Sequence, residues 1–485
     1  MKRPTSKMFP LFRFFGILFL SIVCHRQSST AQAAFADEKE TDPQVVKNLD
    51  EWQDLKFGFL VQWGPYSQWG VVESWSLCAE DETWCKRKSD NYVEYKKSYE
   101  ELKNTFNPSK FDAASWASLA EEAGMKYVVF TMKHHDGFCM YDTKLTDYRV
   151  TDTDCPYHTN ANADIGGQVF KAFRSKGFKL GAYFSKPDWN TPYYWWPYFA
   201  TPDRNVNYDP AKHPDRWQKF KDFTYGQIKE IVSQYGKLDI LWLDGGWVRP
   251  QASKNAELRR VIQYDQDVDM PKIATMARSF QPGLIIVDRS VGGKYENYRT
   301  PEQHVPESPP AYPWETCMSM AVNWSYDPDD VYKSTYQLVH ILVDIVAKGG
   351  NYLLNAGPGP TGEFHPDAIN RMKEMGQWLK VNGEAIYSTR PVKPYKEGKT
   401  CYTSLKSGEV FAIYLADEDE SVPPKKIVLN SIQPAPGAEV HMLGYKKPLK
   451  WEKNGKGVLI EVPAEMIRNP PCQHAWSFKI SSVAH

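Results

Sequence analysis

The sequence has no excess of charge of either sign. Lysine and arginine together number 59 among 485 residues, and so do aspartate and glutamate. With a formal net charge of zero and no basic stripe, the sequence does not favour a nucleic acid or an anionic membrane surface as a partner.

Cysteine is also scarce, with 8 residues spread along the chain. None of them forms a C-x-x-C pair, and no cluster of histidine and cysteine has the spacing of a zinc site. We therefore expect no structural metal and no cofactor.

Long apolar runs are lacking, apart from one near the amino terminus. Residues Phe14–Val23 form an apolar run that follows several basic residues and precedes the small-x-small stretch Ala31–Ala33. The run is too short to span a bilayer and is typical of a signal peptide. We predict that residues 1–36 are removed and that the mature chain is exported to the periplasm or the extracellular space, without a membrane anchor.

Short apolar runs alternate with helical periods between about residues 44 and 390. This alternation predicts β-α units with parallel strands, and its length favours a (β/α)₈-type barrel over residues 37–390. The strands are expected at 57–63, 126–132, 178–184, 284–287 and 351–355, with another ending at Asp244. A long stretch from 64 to 110 is expected to be irregular, and loops of that length are usually functional.

The pattern changes after residue 390. Short runs of strand-forming residues are separated by turns rich in proline, glycine and lysine, and no helical period appears. We predict a small all-β sandwich over residues 391–485.

Asp244 is the first candidate for chemistry. It ends an apolar strand and is followed at once by Gly245 and Gly246, which is where parallel α/β folds place their functional residues. The alternative is an aspartate that caps the next helix. Trp242 and Trp247 favour a pocket in which a sugar ring is stacked, although tryptophan is also an ordinary core residue.

Other predicted strands also end in functional side chains. His134 and His135 follow the second strand, where period-two geometry places them on opposite sides, so each can serve a different sugar hydroxyl. Tyr183 ends the third strand and offers a hydroxyl or a ring. Arg289 follows another strand, and its planar fork suits paired hydroxyls or a carboxylate. The alternatives are a hydrogen-bonded turn for the histidines and a structural ion pair for the arginine.

Cleavage of a glycosidic bond requires a second carboxylate besides Asp244. Three glutamates downstream qualify, Glu302, Glu307 and Glu315, and spacing does not choose among them. Glu302 lies in a proline-flanked loop that we expect to be exposed, whereas Glu315 follows a tryptophan and can instead bind the sugar or line the pocket.

Five ordered stretches give the chain a family resemblance. They are FGFLVQWGPYS at 57–67, AGMKYVVFTMKHHDGF at 123–138, LGAYFS at 180–185, DILWLDGGW at 239–247 and KGGNYLLNAGPGPTG at 348–362. Together they make the sequence resemble the α-L-fucosidases of glycoside hydrolase family 29.

The resemblance implies an exo-acting enzyme that hydrolyses terminal α-L-fucosyl residues by a retaining double displacement. Asp244 matches the nucleophile of the family, and Glu302, in the stretch TPEQHV, is the best match to its acid/base. Positions that match sugar-binding residues are His134, His135, Tyr183, Trp242, Arg289 and Trp324, while Glu73 and Trp75 lie in a loop that lines the family pocket.

Gln62 departs from the family pattern. The family usually has His-Trp-Gly at the end of the first strand, where this chain has Gln62-Trp63-Gly64. Glutamine keeps a donor and an acceptor, so a sugar hydroxyl can still be bound. The departure brings α-L-galactosides and substituted fucosides into consideration beside L-fucosides.

Three functions therefore compete at this point. The first is an exported α-L-fucosidase that acts on fucosylated oligosaccharides or glycoconjugates. The second is a carbohydrate-binding barrel without catalysis, which the presence of Asp244 disfavours. The third is a different barrel hydrolase, for example one acting on α-galactosides.

Overall fold

The computed structural model describes residues 39–78, 85, 87, 89–201, 203–253 and 262–484. The predicted signal peptide, residues 1–36, lies outside the described residues.

A seven-stranded parallel sheet forms the centre of the larger part of the chain. Its strands run in the order β5-β4-β3-β2-β1-β7-β6. They are β1 Phe57–Val61, β2 Tyr127–Lys133, β3 Lys179–Ser185, β4 Ile240–Asp244, β5 Ile285–Asp288, β6 Glu315–Ser319 and β7 Asn351–Asn355. The strands are almost entirely buried, and most of them are therefore rich in apolar residues without alternation, with β6 (ETCMS) as the exception.

An irregular segment, residues 289–314, fills the space between β5 and β6, where an eighth strand would lie. We call it the closing segment. The amide of Asn297 donates to the carbonyl of Ile286 on β5 at 2.9 Å. Further along, Arg299 forms a parallel bridge with Trp314, just before β6, and Glu302 forms one with Cys317 on β6. The curled sheet together with this segment makes a barrel of the (β/α)₈ type, which confirms the predicted fold class.

Eight helices surround or flank the sheet in the described part of this region. They are α1 Pro43–Leu55, α2 Tyr92–Glu100, α3 Ala113–Glu122, α4 Ile165–Ser175, α5 Pro214–Gln234, α6 Met270–Phe280, α7 Thr335–Ala347 and α8 Pro366–Asn382. Within the described residues, no helix is both long enough and apolar enough to cross a membrane.

Capping residues set several helix starts. Asp42 and Asp112 accept backbone hydrogen bonds at the starts of α1 and α3. A capping box between Ser334 and Gln337 starts α7 at residue 335, six residues later than the expected start at 329. The stretch 64–110 is less irregular than predicted, since it contains α2, capped by Asn91.

The carboxyl-terminal part folds as two antiparallel sheets. One has the order β12-β15-β10-β9-β8 and the other β11-β14-β13. The strands are β8 Thr389–Glu397, β9 Thr400–Leu405, β10 Val410–Leu415, β11 Lys426–Leu429, β12 Val440–Met442, β13 Trp451–Asn454, β14 Gly457–Glu461 and β15 Ala475–Ile480, with the short helix α9 Ala464–Arg468. Both sheets contribute to one apolar cluster, as the predicted sandwich requires. The domain boundary at residue 390, which falls inside β8, stays a prediction.

Candidate active site

A cavity of about 370 Å³ opens at the carboxyl ends of the barrel strands. Parallel barrels bind their ligands at this end, because the loops that follow the strands meet there. Eleven of the predicted site residues line the cavity: Gln62, Glu73, Trp75, His134, His135, Tyr183, Trp242, Asp244, Arg289, Glu302 and Trp324.

Asp244 lies at the last position of β4, with hydrogen bonds to both carboxylate oxygens. Oδ2 accepts from the hydroxyl of Tyr183 at 2.7 Å, and Oδ1 accepts from Arg289 at 3.2 Å. Oδ1 also accepts from the amide of Gly245 at 2.7 Å. A residue at this turn needs the positive φ of 83° that Gly245 adopts, which explains the glycine after the strand.

The surroundings of Asp244 favour its charged form. Burial alone would raise the pKa of the carboxyl, but the positive charge of Arg289, with His135 and the Tyr183 hydrogen bond, lowers that pKa well below its ordinary value. Asp244 is therefore a carboxylate throughout the range of pH in which proteins usually work.

Arg289 connects the two carboxylates that the sequence singled out. Its guanidinium donates through one terminal nitrogen to Asp244 and through the other to Oε2 of Glu302. Glu302 is held by the closing segment, in which the amide of Gln303 donates to the carbonyl of Cys317 on β6 at 3.0 Å. Its side chain is 43% exposed, so it lies at the open side of the cavity.

The two histidines differ from the expected arrangement, because both face the cavity. β2 ends at Lys133, so the period of a strand no longer applies to His134 and His135, and their rings are 4.3 Å apart. Nδ1 of His134 shares a hydrogen bond with the hydroxyl of Ser74, and Nε2 of His135 lies 3.8 Å from Asp244.

Burial determines the charge of this pair. It lowers the pKa of His134 well below its ordinary value and the pKa of His135 to about 4. Both imidazoles are therefore neutral at neutral pH, and each can donate one hydrogen bond and accept another.

Aromatic rings form one wall of the site. Tyr183 stacks on Trp242 with ring centroids 5.2 Å apart, and the guanidinium of Arg289 lies 4.8 Å from the Trp242 ring centroid. Cation–π contact and stacking hold the arginine in the orientation that reaches both carboxylates.

Gln62 and Glu73 supply polar groups from two other directions. The amide oxygen of Gln62 accepts from Thr131 at 2.9 Å. Glu73 is buried, and burial together with the charges of Glu302 and Asp244 raises its pKa to about 8. Glu73 therefore carries its proton at neutral pH and can donate a hydrogen bond.

Two loops close the cavity on the side of Trp75 and Trp324. The carbonyl of Trp324 accepts from Asn355 at 2.7 Å, at the end of β7. The next residue, Ser325, accepts from the amide of Glu73 at 3.3 Å and donates to the carbonyl of Val71 at 2.6 Å. The loops that carry the two tryptophans are thus joined to each other.

The expectation that Glu315 binds the sugar is corrected by its position. It is the first residue of β6, at the opposite end of the strand from the cavity, and its side chain is fully buried. Oε2 accepts from Tyr127 at 2.5 Å and Oε1 from the indole of Trp242 at 3.3 Å. Glu315 therefore contacts the site only through Trp242.

The cavity has further lining residues besides the eleven named above. Arg204 and Trp247 lie on its wall, together with Ser290 and Cys317. Trp247 was noted as an indole beside Asp244, but no local pattern marks Arg204, because it lies in the long connection between β3 and α5.

Three residues come close enough to be considered as metal ligands. Ligand atoms of His134, His135 and Asp244 lie within 4.8 Å of one another. Both oxygens of Asp244 already accept hydrogen bonds, one of them from the cation of Arg289. A fixed positive charge at this distance repels a metal ion, so the donor set fits an organic ligand with hydroxyl groups better.

A parallel barrel whose cavity holds two carboxylates on one arginine, with aromatic and hydrogen-bonding walls, suits a glycoside hydrolase, and the family comparison shows that class. Residues 22–384 match the family model described as alpha-L-fucosidase, and residues 395–481 match that of the alpha-L-fucosidase C-terminal domain. The chain belongs to the α-L-fucosidase family, as its motifs predicted.

Individual α-L-fucosidases align with this chain over nearly its whole length. Human tissue alpha-L-fucosidase is 30% identical over 452 residues, which cover 90% of this chain and 90% of that protein. The bovine tissue enzyme is 29% identical over 455 residues, covering 90% of this chain and 89% of that one. Among solved structures, alpha-L-fucosidase isoenzyme 1 from Paenibacillus thiaminolyticus has a TM-score of 0.71 at 27% identity and covers 91% of this chain and 100% of its own.

Proposed function

We propose that this chain is an exported, retaining exo-α-L-fucosidase with Asp244 as the nucleophile and Glu302 as the acid/base. The observation that carries the proposal is the fork of Arg289, which donates to both carboxylates at once. A retaining pair must lie about 5–5.5 Å apart on the two sides of the scissile bond, and one guanidinium between the carboxylates is compatible with that spacing.

The first half of the reaction forms a covalent intermediate. An oxygen of Asp244 attacks the anomeric carbon while Glu302 gives its proton to the glycosidic oxygen, so the bond to the leaving group breaks as the bond to Asp244 forms. The low pKa of Asp244 supports this role, since the nucleophile must be ionised.

The second half releases fucose. Glu302, now a carboxylate, takes a proton from water, and the water oxygen attacks the anomeric carbon and displaces Asp244. Two inversions give net retention. The 43% exposure of Glu302 supports this role, because the leaving group must depart and water must enter beside it.

The remaining polar side chains are assigned to binding of the sugar. His134 and His135 are neutral and offer donors and acceptors to hydroxyls, and protonated Glu73 offers a donor. With its amide oxygen engaged by Thr131, Gln62 presents its amide nitrogen. Trp75, Trp242 and Trp324 supply the apolar surface for the ring and its methyl group.

A related substrate is a second candidate. Gln62 lines the cavity at a position where the family usually has histidine, and a residue that bonds a substrate hydroxyl can discriminate strongly between sugars. The α-L-galactosides and substituted fucosides are therefore the alternatives to an unsubstituted α-L-fucoside.

Export is part of the proposal, and the amino-terminal sequence supports it. The basic start, the apolar run Phe14–Val23 and the small-x-small stretch Ala31–Ala33 are typical of a cleaved signal. Amino-terminal sequencing of the chain recovered after export should begin near residue 37.

The test combines a substrate screen with the stereochemistry of the product. Chromogenic α-L-fucoside, α-L-galactoside and α-D-galactoside are compared first. Proton NMR of the first turnover on the best substrate must then show the α-anomer of the free sugar. A β-anomer would refute the retaining mechanism.

Asp244→Gly tests the nucleophile. It should lower kcat about 10⁴-fold or more with the fold intact, and azide should restore turnover by giving the β-glycosyl azide. The matched control is Asp239→Asn, just before the other end of β4, which should keep its activity. Near wild-type activity of Asp244→Gly would refute the assignment.

A further inference from the structure

The connection between β3 and α5 carries a run of aromatic residues without any charge. Residues 190–202, NTPYYWWPYFATP, include six aromatic side chains and no acidic or basic one. We call residues 189–201 and 203–208 the aromatic loop, and residues 197–201 its tip. A surface of this composition suits a neutral ligand rather than an ionic one.

The base of the aromatic loop is attached to the wall of the active-site cavity. The amide of Trp189 donates to the carbonyl of His135 at 2.7 Å, and its ring centroid lies 5.4 Å from that of Trp75. Trp195 stacks on Trp189, with ring centroids 5.0 Å apart. Because His135 and Trp75 line the cavity, the aromatic loop starts where we place the fucosyl ring.

Hydrogen bonds between its two arms support the aromatic loop. The indole of Trp195 donates to the carbonyl of Asn205 at 2.9 Å. The amide of Trp196 donates to Oδ1 of Asn207 at 2.7 Å, and the side-chain amide of Asn207 donates to the carbonyls of Trp196 at 3.0 Å and Phe199 at 3.1 Å. The backbone beside the tip is thus held in place, as a binding surface requires.

Two neighbouring aromatic rings at the tip are in contact with solvent. Tyr198 is 87% exposed and Phe199 is 47% exposed. Both pack edgewise against Trp196, with ring centroids 6.0 Å and 5.2 Å away. Adjacent large rings left in water are unfavourable, because burial of apolar area is the main stabilising force in proteins, so such a patch marks a surface that a ligand or a partner covers.

The size of the patch favours a small ligand over a protein. A large aromatic side chain buries about 150–250 Å², so two of them offer about 300–500 Å². A stable protein interface needs about 800 Å² on each partner. The faces of a sugar ring carry C–H groups that pack on aromatic rings while the hydroxyls at its edge stay in water. A neutral sugar therefore matches the patch in size, shape and lack of charge.

Building on the fucosidase function proposed above, we propose that Tyr198 and Phe199 bind neutral sugars of the aglycone, the glycan chain that carries the terminal fucosyl residue. Neither ring belongs to the described residues that line the cavity. The sugar that they contact therefore lies further along the chain than the unit joined to fucose, and the site discriminates long fucosylated chains from disaccharides.

The test compares short and long substrates that share a terminal linkage. Fucosyl disaccharides and neutral fucosylated pentasaccharides, with fucose in α1,2, α1,3 or α1,4 linkage, are hydrolysed by the full chain, and kcat and KM are measured. For the linkage cleaved fastest, KM should be about tenfold or more lower for the pentasaccharide, as expected when one sugar ring packs on an aromatic surface. The kcat values should be similar, because this contact is the same in the ground state and in the transition state.

Variants assign the difference in KM to the tip. Tyr198→Ala and Phe199→Ala should each reduce the ratio of the two KM values, and the double variant should bring it close to one. Tyr198→Phe keeps the ring and should keep the ratio. The matched control is Phe280→Ala, because Phe280 is 45% exposed but ends α6 on the side where β5 begins, at the opposite end of the barrel from the cavity. This control should show the wild-type ratio.

Each outcome decides the proposal. A preference for the pentasaccharide that disappears in the double variant supports it. Equal KM values for both lengths, a preference that survives in the double variant, or cleavage of an aryl fucoside but of no oligosaccharide overturns it. A wild-type dimer that dissociates in the double variant, measured by light scattering, also overturns it, since a second copy of the chain would then cover the tip. Failure to hydrolyse any fucoside, the aryl fucoside included, would instead refute the fucosidase function itself.

Discussion

The hydroxyl of Tyr183, on β3, donates a hydrogen bond of 2.7 Å to Oδ2 of Asp244, at the end of the neighbouring strand β4. The register of the sheet produces this contact, because Ser185 pairs with Asp244 and places Tyr183 beside Trp242. Asp244, the proposed nucleophile, is thus oriented by the strand next to it rather than by a loop.

Tyr183→Phe removes this hydrogen bond and should lower kcat/KM about tenfold to a hundredfold, the range for a bond to a charged group. The loss should be similar across the working range of pH, because Arg289 and His135 still hold the pKa of Asp244 well below that range. Tyr352→Phe, in the barrel but away from Asp244, is the control and should keep the wild-type kcat/KM. Wild-type kcat/KM in Tyr183→Phe would contradict a role of this contact in catalysis.

Removal of Glu302 should affect substrates according to their leaving groups. Glu302→Ala should slow hydrolysis of a fucosyl disaccharide by about 10²–10⁴-fold and affect the glycosylation step of an activated aryl fucoside far less, since the aryl group needs little protonation. Azide should restore part of the turnover. Glu307→Ala, in the same connection, is the matched control and should hydrolyse both substrates at wild-type rates. If Glu307→Ala instead loses activity selectively on the disaccharide and Glu302→Ala does not, Glu307 would be the acid.

Gln62→His should change the choice of sugar. The ratio of kcat/KM for the α-L-fucoside to that for the α-L-galactoside should shift about tenfold or more, because an imidazole replaces the amide that we propose to bond one sugar hydroxyl. Gln68→His is the control, since Gln68 is engaged by the carbonyl of Leu102 at 2.9 Å. A constant ratio in Gln62→His would mean that Gln62 does not contact the sugar.

Glu315→Gln should flatten the dependence of stability on pH. Burial raises the pKa of Glu315 from its ordinary value of 4.5 to about 7, so the folded state retains a proton that the unfolded state releases. The contribution to stability is therefore complete below about pH 4.5 and is lost as the pH rises towards 7, with a slope of at most about 1.4 kcal/mol per pH unit. Glutamine mimics the protonated form and lacks this slope.

Urea unfolding at several pH values measures this effect. Glu452→Gln, an exposed glutamate in the carboxyl-terminal sheets, is the control and should reproduce the wild-type slope. Identical slopes in wild type and Glu315→Gln would mean that Glu315 does not keep its proton in the folded state.

The elements found from sequence were those with strong local patterns. The strand ending at Asp244 is an apolar run that stops before two glycines. The barrel fold was predicted because such runs alternate with helical segments along the chain. Strand β6, Glu315–Ser319, was missed because its residues, ETCMS, lack both an apolar run and an alternating pattern. It belongs to the sheet because of its neighbours, β7 and the closing segment.

Site residues that depend on contacts between distant parts of the chain could not be predicted from local sequence patterns. Glu302 was chosen by family resemblance, since spacing left three glutamates equal. Glu315 was misplaced because its distance along the chain from Asp244 says nothing about which end of the barrel it occupies. Arg204 was missed because the three donors that hold its carbonyl come from positions 189, 194 and 247.

The two carboxylates of the site are supported by different parts of the barrel. Asp244 and Tyr183 depend on continuous strand pairing, whereas Glu302 is carried by a stretch attached to β6 through a few backbone bonds. The length and composition of this stretch can therefore change without shifting the register of the seven strands. For protein engineering, libraries confined to residues 304–313 would keep Glu302 and its attachment to β6, and would vary the neighbouring loop while the strand-borne half of the site is unchanged.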